Sequence, residues 1–132
     1  MAEEHTNESE DLRTRLAQLG GEEYCYITTT GRVSGRPHKL EIWFGLNNST
    51  LHLLSGGMDR SDWVRNMRAN PSVVVRIGNR TFSGVARFVL DALEETQARH
   101  MLATKYQGWR EGRKLSGWAR TALPVAIDLK GE

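Results

Sequence analysis

Between Glu23 and Thr30, Tyr24, Tyr26 and Thr28 alternate with Cys25, Ile27 and Thr29, all drawn from strand-forming residues. A period of two rich in aromatic and β-branched side chains predicts a strand. The same texture returns over His38–Leu46, Thr50–Ser55, Ser72–Ile77, Thr81–Leu90 and Ala122–Leu129, so about six strands are expected. The breaks between them carry turn chemistry. Gly31–Pro37 holds two glycines, a serine and a proline, Asn47-Asn48-Ser49 reverses the chain, and Gly78-Asn79 is a two-residue hairpin signal.

Helical spacing is confined to three stretches. Asn7–Gln18 places Leu12 and Leu16 on one side, continued by Leu19, before Gly20-Gly21. A short helix from Asp59 or Ser61 to Ala69 has Trp63, Val64 and Met67 as its apolar face and stops at Asn70-Pro71. Asp91 with Glu94 resembles a capping box opening a helix to about Tyr106. Residues 107–121 read as a connection rich in Gly, Arg and Trp, and residues 1–7 as a disordered start. Six short strands with few helices predict a mainly β chain, a small antiparallel barrel with flanking helices, because closure removes exposed edges.

The 132 residues are enough for one domain with one core. No apolar run approaches a membrane span, and the acidic start lacks the pattern of a signal peptide. The expected setting is therefore cytoplasmic, without integral membrane association. Cys25 is the lone cysteine, which excludes an intrachain disulfide, and no histidine spacing resembles a zinc motif, so no metal is expected. Net charge is +2, but arginines outnumber lysines 14 to 4. Arginine's planar fork suits phosphate and carboxylate, so the placement of particular arginines matters more than the total.

Two turns concentrate this chemistry. In Thr30–Pro37, Arg32, Ser34 and Arg36 sit among glycines that allow close approach to an anion. In Ser55–Trp63, a strand end and two glycines lead into a helix whose first N–H groups favour anions, with Trp63 available to stack on a ring or to plug the core. Residues 105–120 interleave aromatic and basic side chains, as nucleic-acid surfaces do. Glu111 and the modest net charge count against that reading, and no nucleic-acid partner is expected.

The segments T-T-G-R-x-S-G-R-P and S-G-G-x-x-x-x-x-W-x-x-N-x-x-A-N-P-x-V resemble the deazaflavin-dependent nitroreductase family, part of the split β-barrel flavin-binding superfamily related to pyridoxamine-phosphate oxidases. The match runs from about Thr28 to Arg76, and the final L-P-V-A-I-D-L strand fits the family order. The resemblance implies a split antiparallel barrel that binds coenzyme F(420) and transfers a hydride to or from a small organic substrate: a quinone, enone or nitro compound. Arg32, Val33 and Ser34 match the turn at the coenzyme's tail. His38, Lys39, Leu40, Glu41, Ile42 and Trp43 match the strand that runs along it. Leu54, Ser55 and Gly56 match the strand end near its phosphate, and Asp62, Trp63, Val64, Arg65 and Asn66 the helix start that closes over it. Arg60 falls near a basic residue of the family loop.

Arg32, Arg36, Lys39 and Arg60 are the expected anion grips. Ser55, Tyr106 or an ordered water is the expected donor to an oxygen that gains charge during reaction, and the sequence does not choose among them. Two departures stand out: Glu41 replaces a common family proline, and the family's substrate-side tyrosines lack clear counterparts, although Tyr106, Trp109 and Trp118 lie in that region. FMN on the same barrel, and a non-catalytic coenzyme carrier, remain alternatives. A homodimer is compatible with the sequence but not specified by it.

Overall fold

A computed structural model describes residues 11–132. Residues 11–17 are helical (α1). Seven strands follow: β1 (Cys25–Thr30), β2 (Pro37–Ile42), β3 (Gly45–Asn47), β4 (Thr50–Ser55), β5 (Ser72–Ile77), β6 (Arg80–Phe88) and β7 (Leu123–Gly131). Between them lie α2 (Asp62–Ala69), α3 (Ala92–Gln107) and α4 (Gly117–Thr121), with a short 3-10 turn at Met58–Arg60. The disorder expected for residues 1–7, and the first residues of the helix expected from Asn7, lie outside the described residues.

All strands form one sheet in the order β2-β1-β5-β6-β7-β4-β3, with every neighbouring pair antiparallel. Its outermost strands, β2 and β3, are consecutive in sequence and joined only by Trp43 and Phe44. A link this short spans at most about 11 Å, so the two edges must come together and the sheet must curl into a split barrel. The strand expected over His38–Leu46 is therefore two strands. The chain turns from one edge of the seam to the other at Trp43-Phe44, and the total is seven rather than about six.

Alternation decides which face fills the barrel. Cys25, Ile27 and Thr29 of β1, Val73, Val75 and Ile77 of β5, and Val125, Ile127 and Leu129 of β7 are buried. They pack with Phe44, Leu51, Leu53, Phe82 and Met67, while Leu12 and Leu16 of α1 join the same cluster. Cys25 is fully buried, and burial pushes its thiol up to about 12, which suits a packing residue rather than a nucleophile.

The helices cover two parts of the barrel. α2 lies against β1 and β6, and α3 against β3, β4, β7 and α4. Asp91 caps α3 as its sequence suggested, accepting the Glu94 N–H at 2.8 Å, and Gly108 ends it at φ +64°. α3 approaches β3 so closely that a Cβ on Gly45 would meet Met101 Sδ at 2.5 Å. Of the two starts expected for the second helix, Ser61 holds: it is the extended N-cap (φ −61°, ψ 138°) that separates α2 from the 3-10 turn containing Asp59. α4 lies within the segment expected to be a connection, where Ser116 caps it by accepting the Ala119 N–H at 3.1 Å.

Candidate active site

The first turn rich in glycine and arginine is built by its own backbone. Gly31 N–H donates to Arg36 O at 2.8 Å, and Gly35 N–H donates to Gly31 O at 2.9 Å. Ser34 Oγ accepts the Arg36 N–H at 3.1 Å. A Cβ on Gly31 would meet His38 Nε2 at 2.6 Å and Ser34 Oγ at 2.7 Å, so the imidazole lies directly over the bare Gly31 backbone.

Helix α2 fastens this turn to the barrel through one buried side chain. Asn66 Oδ1 accepts from Arg32 N (3.1 Å) and Nη1 (2.9 Å), and its amide donates to the buried Thr29 hydroxyl at 3.2 Å. Arg32 Nη2 also meets Asp62 Oδ1 at 3.2 Å. Gly31–Ser34, His38, Asp62 and Asn66 enclose a cavity of about 280 Å³. The Arg32 charge is thus already shared with Asp62, whereas Arg36 in the same turn and Arg60 before α2 are exposed.

A second cavity of about 380 Å³ lies at the other end of β2, walled by Ile42, Trp43, Leu54 and Trp118 and bordered by Tyr24, Glu41 and Gln107. Trp43 meets Trp118 edge-on at 5.5 Å and stacks flat on Tyr106 at 4.3 Å. Gly56 lies against the Trp118 edge, 3.5 Å from where its Cβ would be to Cδ1. His38, Leu40 and Ile42 share one face of β2. The two cavities, one polar and one aromatic, therefore lie at opposite ends of β2, about 13 Å apart along the strand.

Several expected residues lie elsewhere. Val64 is fully buried on the core side of α2, and Trp63 is half-buried against the same core, so neither lines the two cavities. Arg65 Nε donates to Asp59 O at 3.3 Å. Lys39 and Glu41 face away from the His38 side of β2, so Lys39, expected as an anion grip, is turned from the first cavity, while Glu41 borders the second. Glu41 pairs with Tyr26 across the register and raises that phenol's pKa through a hydrogen bond, while the Arg76 guanidinium sits 4.1 Å from the Tyr26 ring centroid.

The two expected donors have other partners. Ser55 is buried, and its hydroxyl donates to Met58 O at 2.9 Å and lies 3.0 Å from Ser61 Oγ, so it ties down the loop before α2. Tyr106 Oη accepts the Phe44 N–H at 2.9 Å and lies 2.7 Å from Glu23 O and 3.0 Å from Phe44 O. Burial pushes its phenol up to about 12. Both hydroxyls are spent on main-chain oxygens, and this is why their expected role as proton donors does not fit the geometry.

Sequence reasoning also passed over residues that complete the site. Thr29, Tyr24, Gln107 and Lys105 were not singled out for it. Thr29 carried no signal, since its partner is 37 residues away. Lys105 was visible only as part of a basic and aromatic stretch.

Among the described residues no group of histidine, cysteine and acidic side chains is placed to hold a metal, and no helix is long and apolar enough to cross a membrane.

A model of the F(420)H(2)-dependent quinone reductase family matches residues 3–130. The fold is similar to that of a candidate 5-nitroimidazole antibiotic resistance protein from Bacteroides thetaiotaomicron, at 17% identity over 89% of this chain and 79% of the other, with a TM-score of 0.68. It is also similar to a candidate pyridoxamine 5′-phosphate oxidase from Listeria innocua, at 21% identity over 90% and 91% of the two chains, with a TM-score of 0.62. An F(420)H(2)-dependent reductase, FDR-A, aligns at 23% identity over 82% of this chain and 94% of its own, with a TM-score of 0.61.

Proposed function

The chain belongs to the F(420)H(2)-dependent quinone reductase family, and we propose that it is an oxidoreductase that holds coenzyme F(420) along β2 and passes a hydride between it and a small organic acceptor of the quinone, enone or nitro class. The observation that carries this reading is the pair of cavities at the two ends of β2, which the coenzyme would bridge as one groove. One is walled by aromatic rings, the other is polar and built on the turn that carries the exposed Arg36, and the roughly 13 Å between them suits a tricyclic ring with an anionic tail.

The residues fit the coenzyme end by end. Ile42, Leu54, Trp43 and Trp118 would hold the ring and exclude water from it. Ser34, His38 and the N–H groups before α2 would meet phosphate, and Arg36 and Arg60 the acidic tail. Arg32, already paired with Asp62 and Asn66, would orient the turn more than neutralise the ligand. When bound, the deazaflavin supplies the hydride chemistry. The chain's task is to present one face of the ring to the acceptor at about 3–3.5 Å. Because Ser55 and Tyr106 are engaged with main-chain oxygens, the proton that follows the hydride would come from solvent entering the open slot.

Both cavities are built within one chain.

Direct fluorescence titration tests the assignment. F(420) is expected to bind more tightly than FMN, because the exposed Arg36 and Arg60 suit a longer, multiply anionic tail. Equal or reversed affinities would move the assignment to an FMN enzyme. Oxidation of the reduced coenzyme by a soluble quinone separates an enzyme from a carrier: binding with no turnover of any acceptor class would sink the catalytic part.

A further inference from the structure

The seam of the barrel closes at Trp43-Phe44, and two successive residues of α3 hold that joint. Tyr106 Oη takes the Phe44 N–H and lies within hydrogen-bonding distance of Phe44 O and Glu23 O, so it ties the β2–β3 link to the segment just before β1. Lys105 Nζ donates to Phe44 O at 3.1 Å and stands 3.7 Å from the centre of the Phe44 ring. The Tyr106 ring then lies parallel to Trp43, at 4.3 Å and 3°.

The facing wall is fixed from the same helix. Arg99 Nη1 donates to Ala119 O at 3.0 Å and to Ala122 O at 2.9 Å, at the end of α4, which carries Trp118. The right-angle corner between Trp43 and Trp118, 83° between planes, is therefore set by α3. Stacking alone would let Trp43 slide across the Tyr106 ring, since aromatic faces tolerate offset. Bonds to the main chain of the very next residue fix the direction in which the Trp43 side chain leaves the backbone.

We infer that Tyr106 is a positioning residue for the ring slot: through the Phe44 main chain and the Trp43 ring it sets the wall against which a flat ligand lies, without its hydroxyl touching that ligand. This rests on the reading of the groove as the coenzyme site. It gives the phenol a function that needs no proton transfer.

The test uses Tyr106→Phe, which keeps the ring and removes the clamp, together with Trp43→Leu and the double variant. F(420) affinity is read by fluorescence titration, near-ultraviolet circular dichroism of the ligand-free protein reports the tryptophan corner, and urea melts report stability. Tyr106→Phe is expected to reduce the near-ultraviolet signal and to weaken F(420) binding roughly three- to tenfold, the equivalent of about one net hydrogen bond. Trp43→Leu should weaken binding further. Adding Tyr106→Phe to it should then cost stability but no additional affinity, a non-additivity that a merely structural tyrosine would not produce.

Two results overturn the inference while the slot reading stands: Tyr106→Phe loses stability with affinity and near-ultraviolet signal unchanged, or it weakens binding equally in both backgrounds. Wild-type affinity in Trp43→Leu removes the slot reading and the inference with it. Should Tyr106→Phe not fold, Lys105→Met cuts the other bond to Phe44 O and is read by the same criteria.

Discussion

Asn66→Ala is the sharpest probe of how the site turn is attached to the barrel. Asn66 is 3% exposed and makes three side-chain hydrogen bonds, two to Arg32 and one to Thr29. The Arg32 groups lie at a solvent-facing turn, and water can replace much of what they lose. Thr29 is 1% exposed, so its hydroxyl would be left without that partner in the interior. Each bond contributes about 0.5–1.5 kcal/mol net, and a stranded buried hydroxyl costs about 1–3 kcal/mol, so the total loss should be about 2–4 kcal/mol. That is a large fraction of the roughly 5–15 kcal/mol that separates folded from unfolded domains. Urea denaturation measures it. Asp62→Ala is the matched control: the Asp62 side chain is 85% exposed, so its ion pair with Arg32 should contribute no more than about 1 kcal/mol. The Asn66 variant should also bind F(420) more weakly, because a loosened turn must be ordered again on binding. A loss below about 1 kcal/mol, no larger than the control's, would refute the reasoning that one buried amide anchors the turn.

Two further outcomes are expected. Arg36→Glu should leave the urea midpoint unchanged, because the side chain is exposed in a polar turn, while weakening F(420) binding by roughly 1.5–3 kcal/mol, more at low salt; a fall in stability without a fall in affinity would make the turn purely structural. Stability should also drop on acidification in two stages. Burial lowers the His52 pKa, so below about pH 6.5 the unfolded chain takes up a proton that the folded chain refuses. Hydrogen bonds from Arg87 hold the Glu94 and Asp128 carboxyls below their ordinary range, and the stability they lend is lost only as pH falls below about 4 and through those lowered values. His52→Leu should abolish the first stage in a urea-midpoint series against pH and leave the second; an unchanged first stage would assign it to another group.

How much of this was legible in the residues differs from element to element. Strands β4 and β5 coincide with their sequence patterns to the residue, and the Asp91 cap holds as read, because alternation and capping are local. The 31–36 turn was legible for the same reason: the backbone there is shaped by its own residues. Local signals failed where distant contacts rule. Nothing in His38–Leu46 says that the strand must break at Trp43, since the break exists only because two sheet edges meet there. Trp63 and Val64 carry the same helical spacing whether they face a ligand or the core, and packing turned them away from the groove. Ser55 and Tyr106 advertise hydroxyls, but their partners are main-chain oxygens placed by the loop before α2 and by the seam. Residue types and short spacings thus determined most of the strands and the caps, and pointed to the class of ligand proposed above. Tertiary structure decided which of those side chains remain free to meet it, because a buried polar group takes the nearest partner the fold provides.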